Sequence, residues 1–311
     1  DWSSDVCSSD LSIAVTLLVP LVLTGSGLVA RVAAGVGGGW LLAAAASTAF
    51  VLVVTWILGL PSAVRSRIVM LDVGLATGSW VRWWRDALLA ELLGLLLAIV
   101  GVVGVVGAAR VWPLNWWVPV ALTAVILVVV LSFVLPVVVE PMFNTFTPLG
   151  PGELRDGLLQ LAERDQVVVG DVLVADASKR TSALNAYVSG FGPTRRIVVH
   201  DNLLDRGRDD EVVAVVAHEL AHVVARDVLY GTLTGAFGAA AVVFGLGILL
   251  QIPAVLAFAR ISGSSDPAVA GILVVVASWV PFIASPLRNG ISRRIERQAD
   301  QHSFELIDDP A

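Results

Sequence analysis

The chain has 311 residues, of which 57% belong to the apolar set AVILMFWYC and only 15% are charged; its mean hydropathy is +0.84. A soluble domain devotes about a quarter of its residues to Asp, Glu, Lys and Arg, so this composition excludes a water-soluble globule. A net charge of -6 without a basic domain argues against nucleic acid as a partner, and Cys7, the single cysteine, rules out a disulfide scaffold.

Residues 1–11 read DWSSDVCSSDL. They carry neither the basic start of a signal peptide nor a helical or strand period, and they correspond codon by codon to a common short-read sequencing adapter. They are read as an artefact joined to a gene fragment. Six apolar windows follow, at 12–30, 39–60, 87–109, 116–139, 231–259 and 267–287, each close to or above the roughly 20 residues that cross a bilayer as a helix. The expected fold is mostly α, a polytopic transmembrane helical protein, with four spans in a membrane domain at 12–139 and two more at 231–287.

Arg65, Arg67, Arg82 and Arg85 lie between the second and third windows, and Arg288, Arg293, Arg294 and Arg297 follow the sixth. The alternate loops hold only Arg31, Arg110 and Arg260. Cytoplasmic loops carry the excess of Lys and Arg, which predicts a cytoplasmic position for the insert at 140–230 and the tail at 288–311. The Ala-, Val-, Gly- and Arg-rich composition suggests a bacterial cell (inner) membrane.

The insert is the one stretch able to form a water-facing domain, and it reads as α+β. Leu154, Leu158 and Leu161 fall at i, i+4 and i+7 of a helix over 152–165, while 167–174 and 196–200 are β-branched runs of strand character. Asp209, Asp210 and Glu211 form an acidic first turn that predicts a further helix running to about Val228.

On that helix stands His218-Glu219-Leu220-Ala221-His222, an HExxH motif. Residues four apart share a helix face, so both imidazoles reach one metal while Glu219 addresses an adjacent water. Catalytic zinc takes three protein ligands and keeps a fourth position open. Of the four histidines, His200 and His302 remain, neither at the spacing of a third histidine shortly after the motif. A carboxylate fits better: Glu296 and Asp300 lie four apart in Arg293-Arg294-Ile295-Glu296-Arg297-Gln298-Ala299-Asp300. On a helix, Glu296 would face the metal and Asp300 would accept a hydrogen bond from a ligand histidine.

HELAH followed two apolar spans later by ERQAD resembles the integral-membrane HExxH zinc metalloproteases. Phe143-Asn144-Thr145-Phe146-Thr147-Pro148-Leu149, Ser178-Lys179-Arg180, Asn185-Ala186-Tyr187 and Gly190-Phe191-Gly192 are similar to signatures of their type I CAAX prenyl endopeptidase branch. The resemblance implies an inserted gluzincin-type metalloprotease domain binding one Zn2+ per chain through His218, His222 and Glu296. Glu219 is then the general base, Asp300 orients a ligand, and Asn185 and Ala186 belong to an edge strand that holds an extended peptide by main-chain pairing. It also implies a further span ahead of residue 12 and a His-Pro segment beyond the ExxxD helix at 288–311. The expected partners are a peptide or protein substrate and the lipid bilayer, with oligomeric state left open. Two alternatives stand beside prenyl-protein processing: a heat-shock-type protease of misfolded membrane proteins, and a non-catalytic zinc-binding membrane protein or transporter. Tyr187, Arg180 and His200 are the available donors for oxyanion stabilisation.

Overall fold

The computed structural model describes residues 2–134, 138, 140–190 and 192–308. The end of the fourth apolar window, Phe191 of the Gly-Phe-Gly signature, Asp1 and the last three residues lie outside them. The helices are α1 (Trp2–Gly25), α2 (Leu28–Gly35), α3 (Trp40–Asp72), α4 (Trp80–Val111), α5 (Trp117–Val134), α6 (Glu140–Phe143), α7 (Glu153–Arg164), α8 (Asp201–Arg206), α9 (Asp209–Val224), α10 (Asp227–Leu249), α11 (Pro253–Ala259) and α12 (Ala270–Asp308). The strands are β1 (Phe146–Pro148), β2 (Asp171–Ala175), β3 (Ala186–Ser189) and β4 (Arg196–His200).

The chain divides into two compact units. One gathers Asp1–Asp72, Trp84–Ile126 and Phe237–Ser285. Among the described residues of the whole chain, four helical stretches, Trp40–Asp72, Trp80–Val111, Asp227–Leu249 and Pro267–Leu306, are each long and apolar enough to cross a membrane. A fifth arises if the pair Asp10–Gly25 and Leu28–Gly35, bent by 62°, counts as one broken span. Among the described residues, four or five of the six expected windows thus hold a helix long and apolar enough to cross a membrane. The first window is interrupted at Gly27, whose φ of +76° favours glycine. In the fourth, whose end lies outside the described residues, the described apolar helix covers Trp117–Ser132; the fifth is met by α10, which stops at Leu249 before Pro253 starts α11. α1 also reaches back to Trp2 through the adapter-like residues, because extending a formed helix costs far less than nucleating one.

Small and β-branched side chains close the core of this unit: Val29, Ala44, Val51, Val106, Val269 and Ala270 are all buried. The buried hydroxyls of Thr24, Ser47 and Thr48 donate to carbonyls four residues back at 2.7–2.8 Å, which satisfies them where no other partner is at hand.

The other unit comprises Val73–Trp83, Leu127–Ala236 and Pro286–Ala311. Its sheet has the order β1-β2-β4-β3. β2 and β4 run parallel, and the flanking pairs β1–β2 and β3–β4 are antiparallel, so β3 is an edge strand. Leu158 and Leu161 of α7, Ile197 and Val199 of β4, and Val212, Val216 and Leu220 of α9 form one buried core. Strand β4 falls where expected, whereas β2 begins at Asp171 rather than at Val167. Gln166, with a left-handed φ of 56°, turns the chain after α7, and Val167 donates its N–H to Ala162 O at 2.8 Å instead of entering the sheet. Gly190, at φ +88°, makes the β3–β4 turn, where a Cβ would lie 2.5 Å from Thr194 O.

Candidate metal centre

α9 starts on a local signal. The Arg208 N–H donates to Glu211 Oε2 at 3.0 Å, and three acids occupy the first turn, where the exposed N–H groups favour negative charge. Val212, Val216, Ala217, Leu220 and Ala221 form its buried stripe. The remaining positions of the motif, His218, Glu219 and His222, are only half-buried, so the core fixes the helix while its chemistry-bearing side chains stay accessible.

The third group comes from α12. Glu296 Oε2 lies 3.3 Å from His218 Nε2 and 3.9 Å from His222 Nε2, and the two Nε2 atoms are 3.3 Å apart. Donors about 2.05 Å from a tetrahedral centre stand about 3.3 Å from one another, so the spacing suits zinc. Two imidazole nitrogens and a carboxylate oxygen are also a donor set that zinc accepts. Among the described residues this is the one group of three whose ligand atoms converge, all within 4.8 Å.

The outer imidazole nitrogens carry a second test. His218 Nδ1 is 3.0 Å from Asp300 Oδ1, and His222 Nδ1 is 2.8 Å from Asp227 Oδ2. A carboxylate can only accept, so each Nδ1 carries the proton and each Nε2 presents a lone pair to the same point. Two lone pairs and a carboxylate facing one another repel unless a cation sits between them. The residues therefore fit a bound metal ion.

Asp300 occupies the position the i, i+4 spacing predicts. Asp227 escaped the sequence reading, which continued the HExxH helix to Val228. On a continuous helix Asp227, five residues after His222, would stand about 140° round the axis and face elsewhere. In the structure α9 ends at Val224, Arg226 takes a left-handed φ of 60°, and Asp227 opens α10 in reach of His222. The signal available in sequence was an acid just beyond the motif. Asp227→Asn and Asp300→Asn are each expected to weaken metal binding about 10- to 100-fold, measured by competition with a chromophoric chelator.

Burial pushes the Glu219 carboxyl up, with His222 and His218 opposing and Glu296 reinforcing the rise. A raised proton affinity suits a group that must take and return a proton near neutrality. Asn185 is exposed and its carbonyl accepts from the His200 N–H at 3.0 Å; Ala186 begins β3 and is buried in the core. α9 packs against β3, so one of the sheet's two edges belongs to the strand beside the helix that carries the HExxH motif.

Two of the oxyanion donors named from sequence are directed elsewhere. Ala186 and Val188 share the core face with α9, so by strand alternation Tyr187 and His200 point to the opposite face. There Tyr187 bonds Glu140, and burial with the nearby Glu140 charge raises its phenol to about 12. Glu140 also accepts from Ser189 Oγ at 3.3 Å and pairs with Arg196 at 3.6 Å. Burial holds the His200 imidazole below its ordinary value. Arg180 Nη1 donates to Asn144 Oδ1 at 3.3 Å. The Asn144 and Ser178-Lys179-Arg180 signatures thus build the loops around the sheet.

Residues 149–311 match peptidase family M48. The chain is 27% identical over 242 residues, 77% of its length and 57% of the relative's, to the uncharacterized metalloprotease YhfN of Bacillus subtilis. It is 33% identical over 184 residues, 58% of this chain and 43% of the relative, to the CAAX prenyl protease 1 homolog of Arabidopsis thaliana. The chain thus spans about half the length of the curated relatives it matches. The crystal structure of S. mikatae Ste24p superimposes with a TM-score of 0.83 at 20% identity, over 97% of this chain and 76% of that one, and so shares the polytopic helical fold with its small mixed sheet. With four or five helices among the described residues long and apolar enough to cross a membrane, and with this shared fold, the chain is an integral membrane protein.

Proposed function

Because the chain belongs to peptidase family M48, we propose that it is a zinc metalloendopeptidase embedded in a bacterial cell membrane, with its catalytic site on the cytoplasmic side. The observation that carries this reading is the convergence of His218 Nε2, His222 Nε2 and Glu296 Oε2, with a carboxylate behind each imidazole. These three residues would hold one Zn2+. When bound there, zinc supplies Lewis-acid polarisation of the scissile carbonyl and makes water more acidic.

The chain's own groups do the rest. Glu219 takes a proton from the attacking water on a carboxylate oxygen and delivers it to the leaving amide nitrogen. Asp300 and Asp227 hold the two imidazoles in the tautomer that points Nε2 inward. The edge of β3, with Asn185 and Ala186 at its start, pairs with an extended substrate backbone, which offers the same donors and acceptors whatever its side chains.

Similarity to CAAX prenyl proteases supports a prenylated C-terminal peptide as substrate. In proteoliposomes, cleavage of a prenylated CAAX peptide is expected to vanish with a zinc chelator and return on adding zinc. Preference for an unfolded membrane protein over that peptide would move the assignment to quality control. Chelator-insensitive cleavage, or solute uptake without cleavage, would contradict the metalloprotease reading.

A further inference from the structure

Val73–Trp83, the connection after α3 together with the first turn of α4, belongs to the same compact unit as the sheet and the candidate metal centre. In sequence it is an arginine-bearing connection. In the structure it is laced onto residues 178–182, the segment that leads into β3.

The pairing is main chain to main chain at its centre. Ala76 and Thr181 form an antiparallel bridge; the Thr77 N–H donates to Arg180 O at 3.0 Å and the Ser182 N–H to Leu75 O at 3.1 Å. Side chains extend it. Thr77 Oγ1 donates to Ser178 O at 2.6 Å, Ser182 Oγ to Gly74 O at 2.7 Å, and Arg82 Nη1 to Lys179 O at 2.9 Å. Gly78 has a φ of +80°, and a Cβ there would collide with the Lys179 carbonyl oxygen.

The same segment is gripped from its other side. Asp201 accepts from the Ser178 N–H at 2.8 Å and from Ser178 Oγ at 2.5 Å, and Asn202 Nδ2 donates to Thr181 O at 2.7 Å. Three residues after Ser182 comes Asn185, and then the edge strand. A segment clamped on both sides leaves β3 little freedom to slide or fray, and a one-residue slip would turn every side chain of a strand to its other face.

We propose that Val73–Trp83 is a positioning strap that fixes the register of β3 for an incoming peptide. This rests on the reading of β3 as the peptide-pairing edge. Its described contacts run to residues 178–182, which lead into β3, so its effect falls on substrate binding rather than on zinc.

The test uses the zinc-loaded full chain in detergent and a quenched-fluorescence peptide taken from a cleavage site in unfolded casein. Gly78→Ala is expected to raise KM at least tenfold, with kcat within twofold and zinc still one per chain. Thr77→Val should show a smaller rise, and Thr77→Ser, which keeps the hydroxyl, should restore KM. An unchanged KM for Gly78→Ala, or loss of kcat and zinc together with KM, would overturn the proposal. Hydrogen–deuterium exchange decides it independently of turnover: Gly78→Ala should speed exchange in 181–189 and leave α9 protected, and unchanged exchange in 181–189 refutes the strap. A chain that binds zinc, exchanges as predicted and cleaves nothing would instead count against the protease assignment.

Discussion

Glu219→Gln is expected to lower kcat/KM about 10²- to 10⁴-fold, the usual contribution of a positioned general base, while zinc stays at one per chain. Glutamine has the shape of glutamate but no proton affinity to use. The substitution leaves the buried stripe of α9 intact, since Val212, Val216 and Leu220 carry the packing, and it leaves His218 and His222 with their carboxylate partners. Burial, which raises the Glu219 carboxyl, disfavours its charged form, so the neutral amide should not destabilise the fold. Cleavage kinetics and metal analysis on the same preparation separate the outcomes. Full activity in this variant would remove Glu219 from the mechanism; a parallel loss of zinc would make it a structural residue.

Removing a ligand should act in the opposite order. His222→Ala and Glu296→Ala are each expected to weaken zinc binding by more than about 100-fold, the upper range for loss of an outer hydrogen-bond partner, with activity lost as a consequence. Both residues contribute an atom to the same converging set. In His222→Ala the Asp227 carboxylate also loses its imidazole partner, so some loss of stability accompanies the loss of metal. Equilibrium dialysis against a zinc buffer reads the affinity. Wild-type affinity in either variant would mean that the converging atoms are not the ligands.

The candidate metal centre was legible to the extent that its information is local. His218 with His222 and Glu296 with Asp300 are i, i+4 pairs, and helix geometry alone puts each pair on one face. That α12 would run unbroken from Ala270 to Asp308 was not evident, because the apolar pattern stops at residue 287 and composition does not show that a helix continues into the charged tail. Asp227 was hidden by one backbone dihedral at Arg226. The broken first span depends likewise on Gly27, an αL residue whose conformation is set by its surroundings. The pairing of Val73–Trp83 with 178–182 joins residues about a hundred positions apart and leaves no periodic trace in the sequence. Tyr187 looked available for catalysis because sequence does not say which sheet face lies toward α9; the register with β4 decides that it turns to Glu140.

Each of these roles requires one metal held at one place. Anomalous diffraction at the zinc absorption edge, on crystals of the zinc-loaded chain, tests this most directly. The expected result is a single strong peak about 2.0–2.2 Å from His218 Nε2, His222 Nε2 and a Glu296 carboxylate oxygen. A peak coordinated by other residues, or none at this position in a chain that retains stoichiometric zinc, would contradict it.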